Sequence, residues 1–127
     1  MRLLVDTQSF LWFLAGDQRL SKAARQTIAD LDNEVHVSIA SLWEIAIKYG
    51  LGKLSLSEPF EALIPKQLEE NEFDVLHIRL DDLSQLVQMP LHHRDPFDRL
   101  IIAQAKIRDI PIITNDPMFD RYKVKII

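Results

Sequence analysis

The sequence predicts an α/β fold, with a central parallel sheet covered by helices on both faces in three layers. Three observations point to it. Short apolar runs alternate with helical patterns along the whole chain. Several of these runs are continuous rather than alternating, as strands buried on both faces require. Acidic residues also stand just after the first strand and the fourth, where open α/β sheets gather their sites.

The elements follow in order. Residues 2–5 (RLLV) read as a buried strand ending at Asp6, and residues 7–15 (TQSFLWFLA) as a helix closed near Gly16. Ser21 caps a second helix, KAARQTIADL. VHVSI (35–39) is a strand and ASLWEIAIKYG (40–50) a helix. Leu42, Ile45, Ala46 and Tyr49 give that helix an apolar face at i, i+3, i+4 and i+7. A further helix runs from Glu58-Pro59 to about Asn71. VLHI (75–78) is a strand, DDLSQLVQ a short helix, and a long helix ends near Arg108. PIIT (111–114), a helical turn from Asp116-Pro117 and a last strand VKII (124–127) complete the chain.

Composition sets bounds. The 127 residues suit one domain, 1–127, and 47% apolar with 27% charged is the balance of an ordinary globular chain. No apolar run approaches the roughly 18 residues of a membrane span. Asp6 interrupts what would be a signal peptide's apolar region, so a cytoplasmic protein is expected. Cysteine is absent, which excludes disulfides and thiolate metal sites. His36, His77, His92 and His93 lack zinc-site spacing. The net charge of −4 argues against a broad basic nucleic-acid face. Acting on nucleic acid would therefore require local basic patches and metal ions.

The acids carry most of the chemical information. Asp6 and Asp116 lie at strand carboxyl ends, and each is also a good helix N-cap; Pro117 suits the first helical position after Asp116. In HHRDPFDRLIIAQA (92–105), Asp95 and Pro96 start the long helix in the same way. Asp98 cannot cap it. Asp98 shares one helical side with Asp95, Ile102 and Ala105, so an apolar stripe continues from it, whereas Arg99, Ala103 and Lys106 mark a more exposed side. A partly buried carboxylate at that position needs a cation or several donors. Glu44 lies off the apolar face of its helix, and a surface ion pair with Lys48 four residues on explains it. Trp43 and Ser41 read as packing and capping residues, and Trp12 and Phe13 as core.

Should Asp6, Glu44, Asp98 and Asp116 meet, each pair at ~4 Å costs about 4 kcal/mol at an effective dielectric near 20. Divalent cations would relieve that, and an all-oxygen site suits Mg²⁺ or Mn²⁺. Such ions activate water and stabilise a leaving oxygen in phosphodiester hydrolysis. Arg94, Arg99, Lys48 and Arg121 are candidate phosphate contacts, each otherwise a solvated charge.

LLVDT, SLWEIAIKYGLGKL, RDPFDRLIIAQA and ITNDPMFDRY, in that order along the chain, together resemble the PIN-domain ribonucleases, in particular the VapC-type toxins of toxin–antitoxin pairs. The resemblance implies an α/β/α sandwich and RNA cleavage with Mg²⁺ or Mn²⁺, leaving 5′-phosphate and 3′-hydroxyl ends. It implies Asp6, Glu44, Asp98 and Asp116 as the acidic site, with Asp6 and Asp98 the principal metal ligands. It also implies an antitoxin partner with a basic residue reaching the acids, and a homodimer to which Trp12 and Phe13 could contribute. Thr7 would support Asp6 and Asp95 would be a cap or supporting acid, while Gln8 stands where related chains often have His. His92 and His93 remain loop or packing residues. Two other readings compete: a phosphoacceptor signalling domain, which fits poorly because Asp6 ends the first strand, and a catalytically silent PIN-like binding module.

Overall fold

Four parallel strands form the centre of the computed structural model, which describes residues 1–93 and 95–127. Arg94, one of the candidate phosphate contacts, lies outside the described residues. In chain order the elements are β1 (Arg2–Val5), α1 (Thr7–Ala15), α2 (Lys22–Ala29), β2 (Glu34–Ser38), α3 (Ile39–Gly50), α4 (Phe60–Glu70), β3 (Asp74–Leu76), α5 (Leu80–Gln88), α6 (Pro96–Arg108) and β4 (Ile112–Ile113). A 3-10 helix, Pro117–Tyr122, follows. The sheet order is β3-β2-β1-β4, with Leu3 opposite Val35 and Val5 opposite Ile113.

The continuous apolar strands are explained by burial on both faces. Leu3, Val5, Val37 and Ile113 pack on one side with Phe10, Ile28, Leu42, Ile45 and Ile64 from α1–α4. Leu4 and Ile112 face the other side, against Ile101 and Ile102 of α6 and against Phe119 and Tyr122. Alternate side chains of one strand thus serve two different cores, giving the three layers expected.

Local signals set the helix ends. Asp6 accepts the Ser9 N–H at 2.8 Å, Ser21 the Ala24 N–H at 3.0 Å, and Asp95 the N–H groups of Phe97 and Asp98 at 2.9 and 3.1 Å. Gly16 ends α1 with φ 65°, a left-handed conformation, and a Cβ there would meet nothing within 4 Å. Gly16→Ala therefore isolates the backbone cost. Urea unfolding should show a loss of about 1 kcal/mol.

Three expectations are corrected. VKII is not a strand: it makes a single parallel bridge, Ile112 to Ile126, because β4 is only two residues long and offers no ladder. The strand read over 75–78 instead spans Asp74–Leu76. The supposed exposed side of α6 is covered. Ala103 is fully buried, the Arg99 guanidinium donates to the carbonyls of Leu86 and Met89, and Lys106 donates to that of Tyr122. The reason is that α6 is flanked by α5 on one side and the 3-10 segment on the other, so little of it meets water.

Candidate active site

In a parallel sheet, a helix that follows a strand starts at the carboxyl edge, and a helix that precedes a strand starts there too when it runs back antiparallel. The N-termini of α1, α3, α6 and the 3-10 helix therefore converge on one edge. Their unpaired N–H groups give that edge a partial positive charge that favours carboxylates. An open pocket of about 330 Å³ lies there, lined by Asp6, Glu44, Asp95, Asp98 and Asp116, with Lys48 at its side.

Asp6 is 5% exposed. Besides Ser9, it accepts a hydrogen bond from the Thr114 hydroxyl at 2.7 Å. Burial raises its carboxyl above the usual range, the Ser9 and Thr114 hydrogen bonds oppose this, and the Asp116 charge adds to it. Thr114 also accepts the Asp116 N–H at 3.0 Å, so one hydroxyl ties β1 to the loop after β4. Asp116 accepts the Met118 N–H at 2.9 Å as cap of the 3-10 helix.

Glu44 is not on the surface, contrary to the spacing argument. It is 5% exposed, whereas Ala46 is exposed and Tyr49 only half-buried. The buried arc of α3 is rotated toward Ala40, Ser41, Leu42, Glu44 and Ile45 because α3 packs against both α1 and α6. The ion pair with Lys48 exists, Nζ to Oε2 at 2.7 Å, and raises the lysine's pKa. The other oxygen, Oε1, is buried and has no hydrogen-bond partner. A buried carboxylate oxygen left without a donor carries an uncompensated desolvation cost.

Asp98 is 19% exposed at its side chain. Burial, then the neighbouring Asp95 charge, pushes its carboxyl up to about 7; His93 opposes this, while Asp6 and Glu44 add to it. The carboxylates therefore sense one another across four separate elements.

Sequence reasoning missed His93. Its Nε2 lies 3.0 Å from Asp98 Oδ2 and 2.9 Å from Asp116 Oδ2, and these three residues form the one tight metal-competent group among the described residues. Five positions separate His93 from Asp98 and twenty-three separate it from Asp116, so no motif spacing reveals the group. His92, by contrast, lies exposed beside Tyr122, as the loop reading had it.

Other expectations shift. Trp43 packs, as expected, but at the surface: it is 57% exposed and edge-on to Phe97 at 5.1 Å. Ser38, not Ser41, caps α3; Ser41 is buried and accepts the hydroxyl of Thr7, which lines the pocket beside Asp6, at 2.9 Å. Trp12 and Phe13 are half-buried against the first core, with Phe13 edge-on to Phe73. Of the described phosphate-contact candidates, Lys48 lines the pocket while Arg99 and Arg121 do not.

Comparison with known proteins agrees with this architecture. A 44-residue stretch is 43% identical to Ribonuclease VapC16 of Mycobacterium tuberculosis (strain ATCC 25618 / H37Rv), covering 35% of this chain and 31% of that protein. The chain thus matches less than a third of that relative's length. The fold matches VapBC2 from Rickettsia felis bound to a promoter DNA fragment, with TM-score 0.76 and 15% identity over 100% of this chain and 98% of that one. It also matches DNA-bound VapBC from Salmonella typhimurium, with TM-score 0.75 and 17% identity over 100% and 97%. At such identities these likenesses concern the fold. The family assignment comes from the sequence model of the PIN domain, which matches residues 3–125 and so spans both cores and every acid of the pocket: the chain belongs to the PIN domain family.

Proposed function

We propose that the chain is a Mg²⁺- or Mn²⁺-dependent endoribonuclease acting as the toxin of a toxin–antitoxin pair in the cytoplasm. The observation that carries this reading is the convergence of Asp6, Glu44, Asp98 and Asp116 on one pocket, with Glu44 Oε1 unpartnered and Asp98 raised to about 7. These residues fit a hard divalent cation. The donors are carboxylate oxygens, cysteine is absent, and the cluster is strained by its own charge.

Asp6, Asp98, Asp116 and Glu44 would hold the metal, which supplies water activation and charge stabilisation at the phosphodiester. Asp6 is held rigid by the Ser9 and Thr114 hydrogen bonds, so its position is set before substrate arrives. Lys48, half-exposed beside Glu44, supplies a positive charge at the rim for a phosphate oxygen. The phosphoacceptor alternative needs a lone acceptor aspartate, whereas Asp6 shares its pocket with Glu44, Asp95, Asp98 and Asp116.

A groove of about 470 Å³, with an apolar floor of Leu11, Trp12, Leu14, Leu54 and Leu56 and charged walls that include Arg19, Lys53 and Glu58, shares Gln8, Leu11, Trp12, Lys48 and Leu54 with the acidic pocket. It suits an amphipathic antitoxin segment whose basic residue reaches the acids. A solved structure of similar fold, VapBC-5 from Mycobacterium tuberculosis, is described as a member of the VapBC family of toxin-antitoxin systems, and this supports the partner class. A homodimer is supported by the resemblance. Trp12 and Phe13 are largely occupied by the core, whereas α5 presents exposed Leu80, Leu83 and Val87, and α3 with the residue after it presents exposed Trp43, Ile47 and Leu51. No helix among the described residues is long and apolar enough to cross a membrane.

The test is direct. Purified chain incubated with RNA and Mg²⁺ should yield fragments with 5′-phosphate and 3′-hydroxyl ends, and EDTA should abolish them. Intact RNA with both Mg²⁺ and Mn²⁺ would leave the silent binding module as the surviving reading.

A further inference from the structure

His93 is a chemistry-bearing residue at the pocket that the acidic set does not include, and its ring can be read two ways. Its Nε2 faces two carboxylates, so the ring could be a nitrogen ligand to a metal or a hydrogen-bond donor to the acids. The other ring nitrogen decides between them. Nδ1 lies 3.1 Å from the backbone nitrogen of Asp95 and accepts its N–H. A neutral imidazole has one acceptor nitrogen and one N–H. Acceptance at Nδ1 uses up the acceptor, so Nε2 carries the hydrogen and donates it to Asp116 Oδ2 at 2.9 Å, with Asp98 Oδ2 3.0 Å from the same nitrogen. Ligation through Nε2 would require Nδ1 to donate, as metal-bound histidines do, and a backbone N–H already stands there.

We propose that His93 is a positioning residue, a tautomer-locked clamp whose Nε2–H holds the Asp116 carboxylate beside Asp98 for a divalent cation without binding the cation itself. The same peptide segment builds both halves of the device. Asp95 caps α6 through its side chain and fixes the imidazole through its own N–H. The ring is further held edge-on to Phe119 at 6.1 Å and is 17% exposed. Asp116 thereby has one oxygen oriented by a fixed donor whose positive end also faces Asp98, and the two acids, which come from different elements, are kept in register. The clamp gives this pocket a nitrogen group that tunes a carboxylate site from behind.

This inference rests on the reading that Asp98 and Asp116 hold a metal, and the experiment separates the two. Mg²⁺ affinity is measured by calorimetry on the full chain and on His93→Ala and His93→Gln, alongside ¹⁵N NMR of the ring nitrogens in the unsubstituted chain. The expected result is an Nε2–H tautomer before and after Mg²⁺ saturation. His93→Ala should bind Mg²⁺ about 10–100-fold more weakly, and His93→Gln, whose amide N–H can reach the same oxygens, should recover most of the loss. A shift to the Nδ1–H tautomer on Mg²⁺ binding would show direct ligation and overturn the clamp. Equal Mg²⁺ affinity in His93→Ala would overturn it alone, leaving the metal site intact. Equal losses in both variants would assign the effect to ring packing and also overturn it. No Mg²⁺ binding by the unsubstituted chain would remove the metal reading and the clamp together. Should His93→Ala not fold, the tautomer measurement and His93→Gln decide.

Discussion

Asp98→Asn should lower RNA cleavage by about 10³-fold, since the metal's stabilisation of transition-state charge is worth several kcal/mol and each 1.36 kcal/mol is a factor of ten. The same substitution should make the metal-free protein more stable. Asp98 is forced toward neutrality by burial and by the Asp95 charge, with its carboxyl raised to about 7 from 3.8. Between about pH 4 and pH 7 the native state therefore holds a proton that the unfolded chain has released. The stability of the metal-free protein must fall as pH rises through that window. Asn is isosteric and uncharged, so it removes the slope and restores on the order of 2 kcal/mol above pH 7. Mg²⁺ should reverse the balance in the unsubstituted chain, raising its melting temperature, and should shift the variant far less. Thermal melts at pH 5 and pH 8, with and without Mg²⁺, read all of this. If the variant melts lower than the parent in EDTA at pH 8, Asp98 is a structural hydrogen-bonding residue and the charge-cluster account fails.

The second large effect lies far from the pocket. Asp82 is fully buried, and Arg108 is 10% exposed at its side chain. The guanidinium meets the carboxylate through Nη1 at 2.6 Å and Nη2 at 3.2 Å, and Nη1 also reaches the Gln104 carbonyl. Asp82 accepts the Arg79 N–H as well, so one carboxylate caps α5 and pins it to α6. Asp82→Ala strands a buried guanidinium and should cost about 3–5 kcal/mol in urea unfolding. Joining it to Arg108→Met should recover much of that loss, because removing both charges removes the stranded one. RNA cleavage per folded molecule should be unchanged in either variant. A loss under about 1 kcal/mol for Asp82→Ala would mean that water or relaxation solvates Arg108 and that the α5–α6 junction is looser than its geometry implies.

Much of the fold was legible because its signals are local. The run RLLV, the Ser21 and Asp95 caps and Gly16 after α1 each act within a few residues, and each appears where its chemistry requires. Errors arose where a neighbour distant in sequence overrides the local pattern. VKII has the composition of a strand but finds only two residues of β4 to pair with. Glu44 sits off the apolar stripe of α3, and yet α1 and α6 close over it from both sides. Trp43 reads as a packing residue, and it packs at the surface, edge-on to Phe97, because the same rotation turns it outward.

For the pocket, the sequence by itself determined which acids stand at strand ends and helix starts, since carboxylates there satisfy unpaired N–H groups that every such junction exposes. Only the tertiary structure decided that these junctions share one edge, that Thr114 links Asp6 to Asp116, and that His93 sits between Asp98 and Asp116. A cap is a contact across two or three residues, and the chain's own stereochemistry dictates it. A hydrogen bond from residue 93 to residue 116, or from 114 to 6, exists only once four strands have stacked in a particular order and their helices have packed back upon them.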